Sequence, residues 1–509
     1  MKRTLTILLS LIMVFSIIPM AVANATENFE TEDNDTFGTA NKLALNSSIT
    51  GNVPYYSYNN YDIDYYKITT TANGKLELAF HHEWVNDGST YWEVIVYKYE
   101  NGQYKNEVDS TSIEGDDDQK VVILTLGAVK GGEYYIYVGP NFDHSSGKNY
   151  TISNKFTATE YYEKEFNNDF DTATNMSLDK SYSGNNDKGY YNYDLDYYKT
   201  TTTANGKLEL AFHHEWVNDG STYWEVIVYK YENGQYDNKM IETSIDGNDD
   251  QKVVFLTLGA VKGGEYYICV NGNRNSSGIN YTISNKFTAT EYYEKEFNGD
   301  YDIATNMKIG KKYSGNLKTS SDVDIYKLDI TKSGNVRIDF TYKYIEYNYS
   351  VWNVALYRYS NNKYTEVYTG YAIGKNALLR FWNGALSKGI YYLKVSDGCY
   401  YDYSTAAEYS ISAKYFVKNP SKPSKISASV KKAKATVKWS KVSGIKGYQF
   451  QISKKSNFKK TVVNKELTKC SYAKKLSRKT KYFARVRSYK VVNGKTYYSG
   501  WKKTSFKTK

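Results

Sequence analysis

The chain has 509 residues, 41% of them hydrophobic and 24% charged, which is too apolar for a disordered protein and too long for one core. With 56 Tyr against 5 Pro and 3 Cys, it leans towards strands and excludes a scaffold built on disulfides. The net charge of +11 hides an asymmetry: residues 418–509 hold 28 Lys and Arg against one acid, Glu466, so this segment is +27 and residues 1–417 carry −16.

Residues 1–25 read as a secretory signal peptide. Lys2 and Arg3 precede an apolar run from Leu5 to Met20, and Ala21-Val22-Ala23 or Ala23-Asn24-Ala25 offers a cleavage site. The run is near the lower limit of a span, so an uncleaved anchor is the alternative. No second run of spanning length follows. The expectation is a secreted, extracellular monomer, or one associated with the cell surface, without a transmembrane span once the signal is removed. Cys269, Cys399 and Cys470 fall in three different domains and read as isolated buried thiols.

Short alternating runs follow. Lys75-Leu-Glu-Leu-Ala-Phe80 and Trp92-Glu-Val-Ile-Val-Tyr97 have the period-two pattern of strands with one buried face. Asn73-Gly74, Asp87-Gly88 and Asn101-Gly102 read as hairpin turns. Lys67–Tyr104 then recurs as Lys199–Tyr236 with the single change Ile68 to Thr200, and Asn149–Asn167 recurs unchanged as Asn280–Asn298. A period of about 132 residues suits a whole domain. A third, more diverged copy keeps the landmarks: Asp62-Ile-Asp64-Tyr-Tyr-Lys67 becomes Asp194-Leu-Asp196-Tyr-Tyr-Lys199 and Asp322-Val-Asp324-Ile-Tyr-Lys327. The expected domains are repeats at 26–157, 158–288 and 289–416, then a basic module at 417–509 behind the linker Asn419-Pro-Ser-Lys-Pro423.

The repeats resemble the bacterial pre-peptidase C-terminal domain, including the collagen-binding domains of clostridial collagenases. The resemblance rests on the Glu-x-Glu-x-Asn-Asp opening, a Thr-Ala pair after it, Gly51, Asp-x-Asp-Tyr-Tyr, and Tyr134-Tyr-Ile-Tyr-Val138. It implies jelly-roll-like β-sandwiches without activity of their own, appended to secreted hydrolases. Residues 417–509 resemble a fibronectin type III domain, an immunoglobulin-like sandwich. Trp439 of Ala435-Thr-Val-Lys-Trp439 matches the core Trp, and Tyr482 matches the corner tyrosine. The fold class is therefore all-β throughout.

The acidic openings are the candidate sites. Glu30, Glu32, Asn34 and Asp35 precede Asp62 and Asp64, which share a strand face. Carboxylates and an amide carbonyl suit a hard cation such as Ca²⁺; a solvated acidic linker is the alternative. In the collagenase-like domains this opening holds calcium, and the resemblance carries that role to Glu30, Glu32, Asn34, Asp35 and Asp64, with Asp62 a near match. Repeat 2 offers Glu163, Glu165, Asn167, Asp194 and Asp196, with Asn168 where repeat 1 has Asp35. Repeat 3 offers Glu294, Glu296, Asn298, Asp322 and Asp324, with Gly299 at that place.

His81-His82-Glu83-Trp84 and its copy at 213–216 tempt a zinc reading, but adjacent strand residues face opposite sides and no H-E-x-x-H is present. No G-x-S-x-G, P-loop, dinucleotide or kinase signature appears, and His144, the only histidine outside the duplicated pairs, has no nucleophile to serve. The chain reads as a non-enzyme. Tyr161-Tyr162 and Tyr292-Tyr293 sit in linkers as possible exposed contacts. The expected function is binding or adhesion to an extracellular polymer: collagen-like protein, polysaccharide or anionic cell wall. No specific nucleic acid is expected. The alternative is a targeting component of a secreted protease or glycoside hydrolase system.

Overall fold

The computed structural model describes residues 28–57, 60–86, 88, 91–100, 102–118, 120–140, 148–186, 194–232, 234–250, 252–276, 278–319, 321–342, 351–373, 378–398 and 408–509. The expected signal peptide, His144 and Cys399 lie outside them. No α-helix occurs among the described residues, and none of their helices is long and apolar enough to cross a membrane. The protein is all-β. Its chain divides into two compact units, Met1–Thr290 and Glu291–Lys509.

The first unit carries two sandwiches of one topology. In the first, a five-stranded sheet runs in the order Asn41–Lys42, Asp64–Thr69, Glu133–Pro140, Tyr91–Glu100, Gln103–Glu114. It faces a four-stranded sheet in the order Ser48–Asn52, Asn149–Ala158, Gly74–His82, Lys120–Ala128. Asn41–Lys42 pairs parallel with its neighbour, and the other pairs are antiparallel. The same order recurs between Thr174–Asn175 and Asn280–Ala289, and in the second unit between Thr305–Met307 and Glu408–Tyr415.

Alternation explains most of these strands. In Tyr91–Glu100 every second residue from Trp92 is buried, so that Trp92, Val94 and Val96 enter the core between the sheets. Lys120–Ala128 departs from strict alternation. Leu78 pairs with Leu124 but Ala79 with Val122, so Ile123 is an extra, bulged residue and Ile123 and Leu124 enter the core in succession; the copies bulge opposite Leu210/Ala211 and Ile338/Phe340. Gly102 has φ +80° in the hairpin between Tyr91–Glu100 and Gln103–Glu114, as its turn requires. Gly74 is not a left-handed turn residue. It opens a strand, and a Cβ there would strike the Thr157 carbonyl and Phe156 ring.

Each repeat centres on a completely buried tryptophan: Trp92, Trp224 and Trp352. The Trp352 ring lies 5.5 Å from Phe340 and 5.4 Å from Tyr409, tying both sheets together. The C-terminal sandwich has its own core. Strands Ile426–Lys431, Lys434–Trp439 and Ser471–Lys475 face a sheet built on Gly447–Ser453 and Lys481–Val492. Trp439 stacks on Phe450 at 5.1 Å, and buried Tyr482 accepts a hydrogen bond from the Ser477 amide at 3.3 Å, the corner arrangement.

Replacing Trp352 by Ala leaves a cavity in the third core and should lower its stability by about 3–5 kcal/mol. Differential scanning calorimetry of the whole chain should show one transition moved down, because the C-terminal module keeps a separate set of core residues.

Candidate metal centre

The same corner is built in every repeat. The segment entering each sandwich forms one parallel bridge to the first long strand, at Phe29–Thr50, Tyr162–Ser183 and Tyr293–Ser314. This lays Glu30, Glu163 and Glu294 over Gly51, Gly184 and Gly315. A Cβ on any of these glycines would overlap the glutamate carboxylate and two tyrosine hydroxyls, so only glycine leaves room. One oxygen of each glutamate accepts a backbone amide: from Asn52 at 2.7 Å, Asn185 at 3.0 Å and Asn316 at 2.9 Å.

The two hydroxyls come from opposite sheets. Tyr66 and Tyr150 meet at 2.8 Å, Tyr198 and Tyr281 at 3.0 Å, Tyr326 and Tyr409 at 2.8 Å. Tyr66 donates to Glu30 and Tyr150 to Asp64; Tyr281 donates to Asp196 at 2.5 Å and Tyr409 to Asp324 at 2.6 Å. The glutamate and the second aspartate of the D-x-D pair are thus clamped to one tyrosine pair.

Around this clamp, Glu30, Glu32 and Asp64 place carboxylate oxygens within 4.8 Å of one another, as do Glu163, Glu165 and Asp196, and Glu294, Glu296 and Asp324. Asn34, Asn167 and Asn298 are fully buried beside them. Asn34 Nδ2 donates to Glu30 at 3.2 Å, whereas Asn34 Oδ1 and Asp64 Oδ1 are buried without a hydrogen-bond partner. Asn298 Oδ1 and Asp324 Oδ1 are left in the same way. In repeat 2 Asn167 Oδ1 faces Asp196 Oδ1 and Glu165 Oε2. Either the amide is reversed and donates to both at 3.3 Å, or a cation lies among the three oxygens. Buried acceptors without donors are what a hard, oxygen-seeking cation satisfies. The donor set fits Ca²⁺, with Glu30, Glu32, Asn34 and Asp64, or Glu163, Glu165, Asn167 and Asp196, as ligands.

Not every expected ligand joins these three groups. Asp35 and Asp62 form a second cluster with Glu32, more exposed than the first. Asp194 stands outside the trio but close enough to raise the Glu163 and Asp196 pKa values. Asp322 caps the neighbouring loop, accepting from the Lys318 amide at 2.7 Å and the Val323 amide at 2.9 Å. The tyrosine pairs were not foreseen as site residues, although Tyr-Tyr after D-x-D places one of them two positions beyond the aspartate. The peptide bonds following Glu32, Glu165 and Glu296 are cis.

Electrostatics follows from the crowding. Burial, then the neighbouring Glu30 charge, pushes the Asp64 pKa up to about 9. Burial and nearby carboxylates also raise Glu163, Asp196, Glu294 and Asp324 well above the usual range.

The other candidates are placed differently. His81 bonds the Ser153 hydroxyl at 2.6 Å on one face, while buried His82 lies on the other, 2.9 Å from the Glu83 carbonyl. No histidine joins a metal-capable cluster among the described residues. Cys269 is buried, which raises its pKa to about 12, and half-buried Cys470 contacts the Tyr448 hydroxyl at 3.5 Å. Of the linker tyrosines, Tyr161 and Tyr292 are exposed, but Tyr162 and Tyr293 are buried and donate to Asn185 and Asn316.

No protein-family model matches the chain, and no curated protein is similar enough to count as a match. Among solved structures, it is similar to the pre-peptidase C-terminal domain of a collagenase from Bacillus anthracis (17% identity, 23% of this chain and 94% of that one, TM-score 0.17). It is also similar to a fibronectin-like protein from Clostridium thermocellum (25% identity, 17% and 92%, TM-score 0.14). A two-domain fibronectin type III segment of chicken tenascin aligns at 13% identity over 37% of this chain and 99% of that one, with TM-score 0.18.

A carboxyl whose pKa is higher folded than unfolded binds more protons in the folded state, so its stabilising effect is complete below the unfolded value and fades as pH rises through the folded value. For Asp64 that window runs from the ordinary aspartate value of 3.8 to about 9. In chelator, the melting temperature should fall as pH is raised from 5 to 9, and saturating calcium should flatten that slope. Thermal melts across pH, with and without chelator, check this.

Proposed function

We propose that this is an exported, non-catalytic binding protein, held on anionic extracellular polymer by its C-terminal sandwich, with calcium setting the corners of its repeats. The observation that carries the reading is the surface of residues 418–509. None of its 28 Lys and Arg is buried; Lys474, Arg485, Arg487, Lys490 and Lys502 are half-buried and the rest exposed. Such a field attracts polyanions irrespective of their sequence.

One face adds a second contact type. Arg485 lies between Phe458 at 4.2 Å and Trp501 at 4.1 Å, and Arg487 between Tyr498 at 3.8 Å and Trp501 at 4.5 Å. Gln451 and Gln449 each accept an arginine Nε at 2.7 Å. The guanidinium planes are therefore fixed in place, with their remaining N–H groups free to meet carboxylate or phosphate oxygens. Acidic cell-wall polymer fits this chemistry outside a cell.

Binding of the whole chain to an anionic cell-wall preparation should weaken at least about tenfold between 0.05 and 0.2 M salt. A chain ending at residue 416 should bind weakly at every salt concentration. Equal binding by the two chains, or no salt dependence, would rule out charge as the tether.

Calcium binding is tested separately. A cation held only by the folded state at about a hundred times its Kd stabilises by roughly 2.7 kcal/mol. Calcium should raise the lowest melting transition relative to chelator, and Asp64→Asn should remove the part that belongs to repeat 1.

A further inference from the structure

Among the differences of the third repeat, one lies three residues beyond the site glycine. The three copies read Gly51-Asn-Val-Pro54, Gly184-Asn-Asn-Asp187 and Gly315-Asn-Leu-Lys318. Pro54 cannot carry charge, and Asp187, outside the described residues, carries the wrong sign for a counter-ion. Lys318 is a cation, and its side chain is only 5% exposed.

The lysine turns inward. Its ammonium pairs with Glu296 Oε1, lies 3.5 Å from Asp322 Oδ2, and sits 5.5 Å from the centre of the Phe297 ring. Glu296 is a member of the acidic trio, and Glu294, Glu296 and Asp324 are all nearly or wholly buried. A Ca²⁺ ion bound through that same Glu296 oxygen would stand about 2.3–2.6 Å from it. The ammonium already holds that oxygen, and a divalent ion beside a buried ammonium meets strong like-charge repulsion. A lysine is rarely buried unless paired, so its position is itself a sign that the carboxylates recruit it.

We propose that Lys318 is the built-in cation of repeat 3: held by Glu296 and Asp322, its ammonium supplies the positive charge that calcium supplies in repeats 1 and 2, with Asn298 Oδ1 and Asp324 Oδ1 still without a donor, and its charge keeps calcium out of this repeat. The inference rests on the calcium reading of the first two repeats. Its consequence is a division of labour along the chain. Repeats 1 and 2 respond to the calcium concentration, whereas the repeat that precedes the basic module keeps its acidic corner set without metal. The trio is otherwise the same, with the same glycine, tyrosine pair and buried asparagine, so one side chain decides between a metal-dependent and a metal-free corner.

The test counts calcium bound by the whole chain in equilibrium dialysis and follows hydrogen exchange at residues 294–298 and 323–330. E165Q should lower the count by one and E296Q should leave it unchanged. K318M should exchange fast over both segments in chelator, return to slow exchange in calcium, and bind one more ion than the natural chain. K318R, which keeps the charge, should behave like the natural chain. The proposal is overturned if E296Q loses an ion, if K318M exchanges slowly in chelator, or if K318M exchanges fast and gains no ion. A natural chain that binds no calcium, with E165Q silent, would sink the metal reading of repeats 1 and 2 instead.

Discussion

Three carboxylates whose oxygens lie within 4.8 Å of one another, all buried in repeats 2 and 3 and with Asp64 buried in repeat 1, cannot all stay as bare anions. Everything at the entrance of each repeat answers that constraint. A backbone amide and two tyrosine hydroxyls supply three donors, glycine makes room for them, and an asparagine is packed alongside. Because the hydroxyls come from facing sheets and the glutamate from the entering segment, the corner pins three parts of the chain at one point. Its charge balance is also a packing condition for the sandwich.

The donors do not suffice, and each copy makes up the deficit in its own way. Repeat 1 leaves Asp64 Oδ1 and Asn34 Oδ1 without partners. Repeat 2 adds Asn186, which donates to Asp196 Oδ2 at 2.8 Å, where repeat 1 has Val53 and repeat 3 has Leu317. Repeat 3 adds an ammonium at Glu296, while Asp324 Oδ1 and Asn298 Oδ1 stay without partners. The frame of glycine, tyrosines and acids is held in common, while the two residues after Gly-Asn differ in all three copies. Variation is therefore concentrated where the compensation is made, not in the acids that require it.

The sheets were legible because burial in a half-exposed strand leaves a period of two, as in Trp92, Val94 and Val96. The bulge at Ile123 was not, since Val121-Val-Ile-Leu124 reads equally well as a continuous strand. The acidic openings were visible as a motif repeated three times. Their tyrosine partners were hidden by distance: Tyr150 is 84 residues from Tyr66, and only the pairing of Asn149–Ala158 with Ser48–Asn52 brings its hydroxyl over Gly51. Lys318 was hidden by its type. A lysine beyond a strand looks like any surface lysine, and only superposing the copies on Gly-Asn shows that it stands where the others have Pro54 and Asp187.

The segment carrying Glu163 and Glu165 has a second role within the first unit, where it meets the preceding sandwich. Lys98 of repeat 1, itself buried, donates to the Glu165 carbonyl at 2.6 Å and lies 4.9 Å from the Phe166 ring. The Glu165 amide donates to the Gly127 carbonyl at 2.8 Å, and Asn73 donates to both carboxylate oxygens of Glu160 at 3.0 and 2.9 Å. One residue thus has its carboxylate in the acidic trio of repeat 2 and both of its peptide groups tied to repeat 1. A change in the charge held by the trio acts on the Glu165 side chain, and Lys98 and Gly127 resist its movement through the backbone. Lys98 lies in the stretch duplicated almost without change, Lys67–Tyr104, and stands as Lys230 in the copy. The joint between the first two sandwiches and the acidic corner are therefore one structural element, and neither can be altered without loading the other.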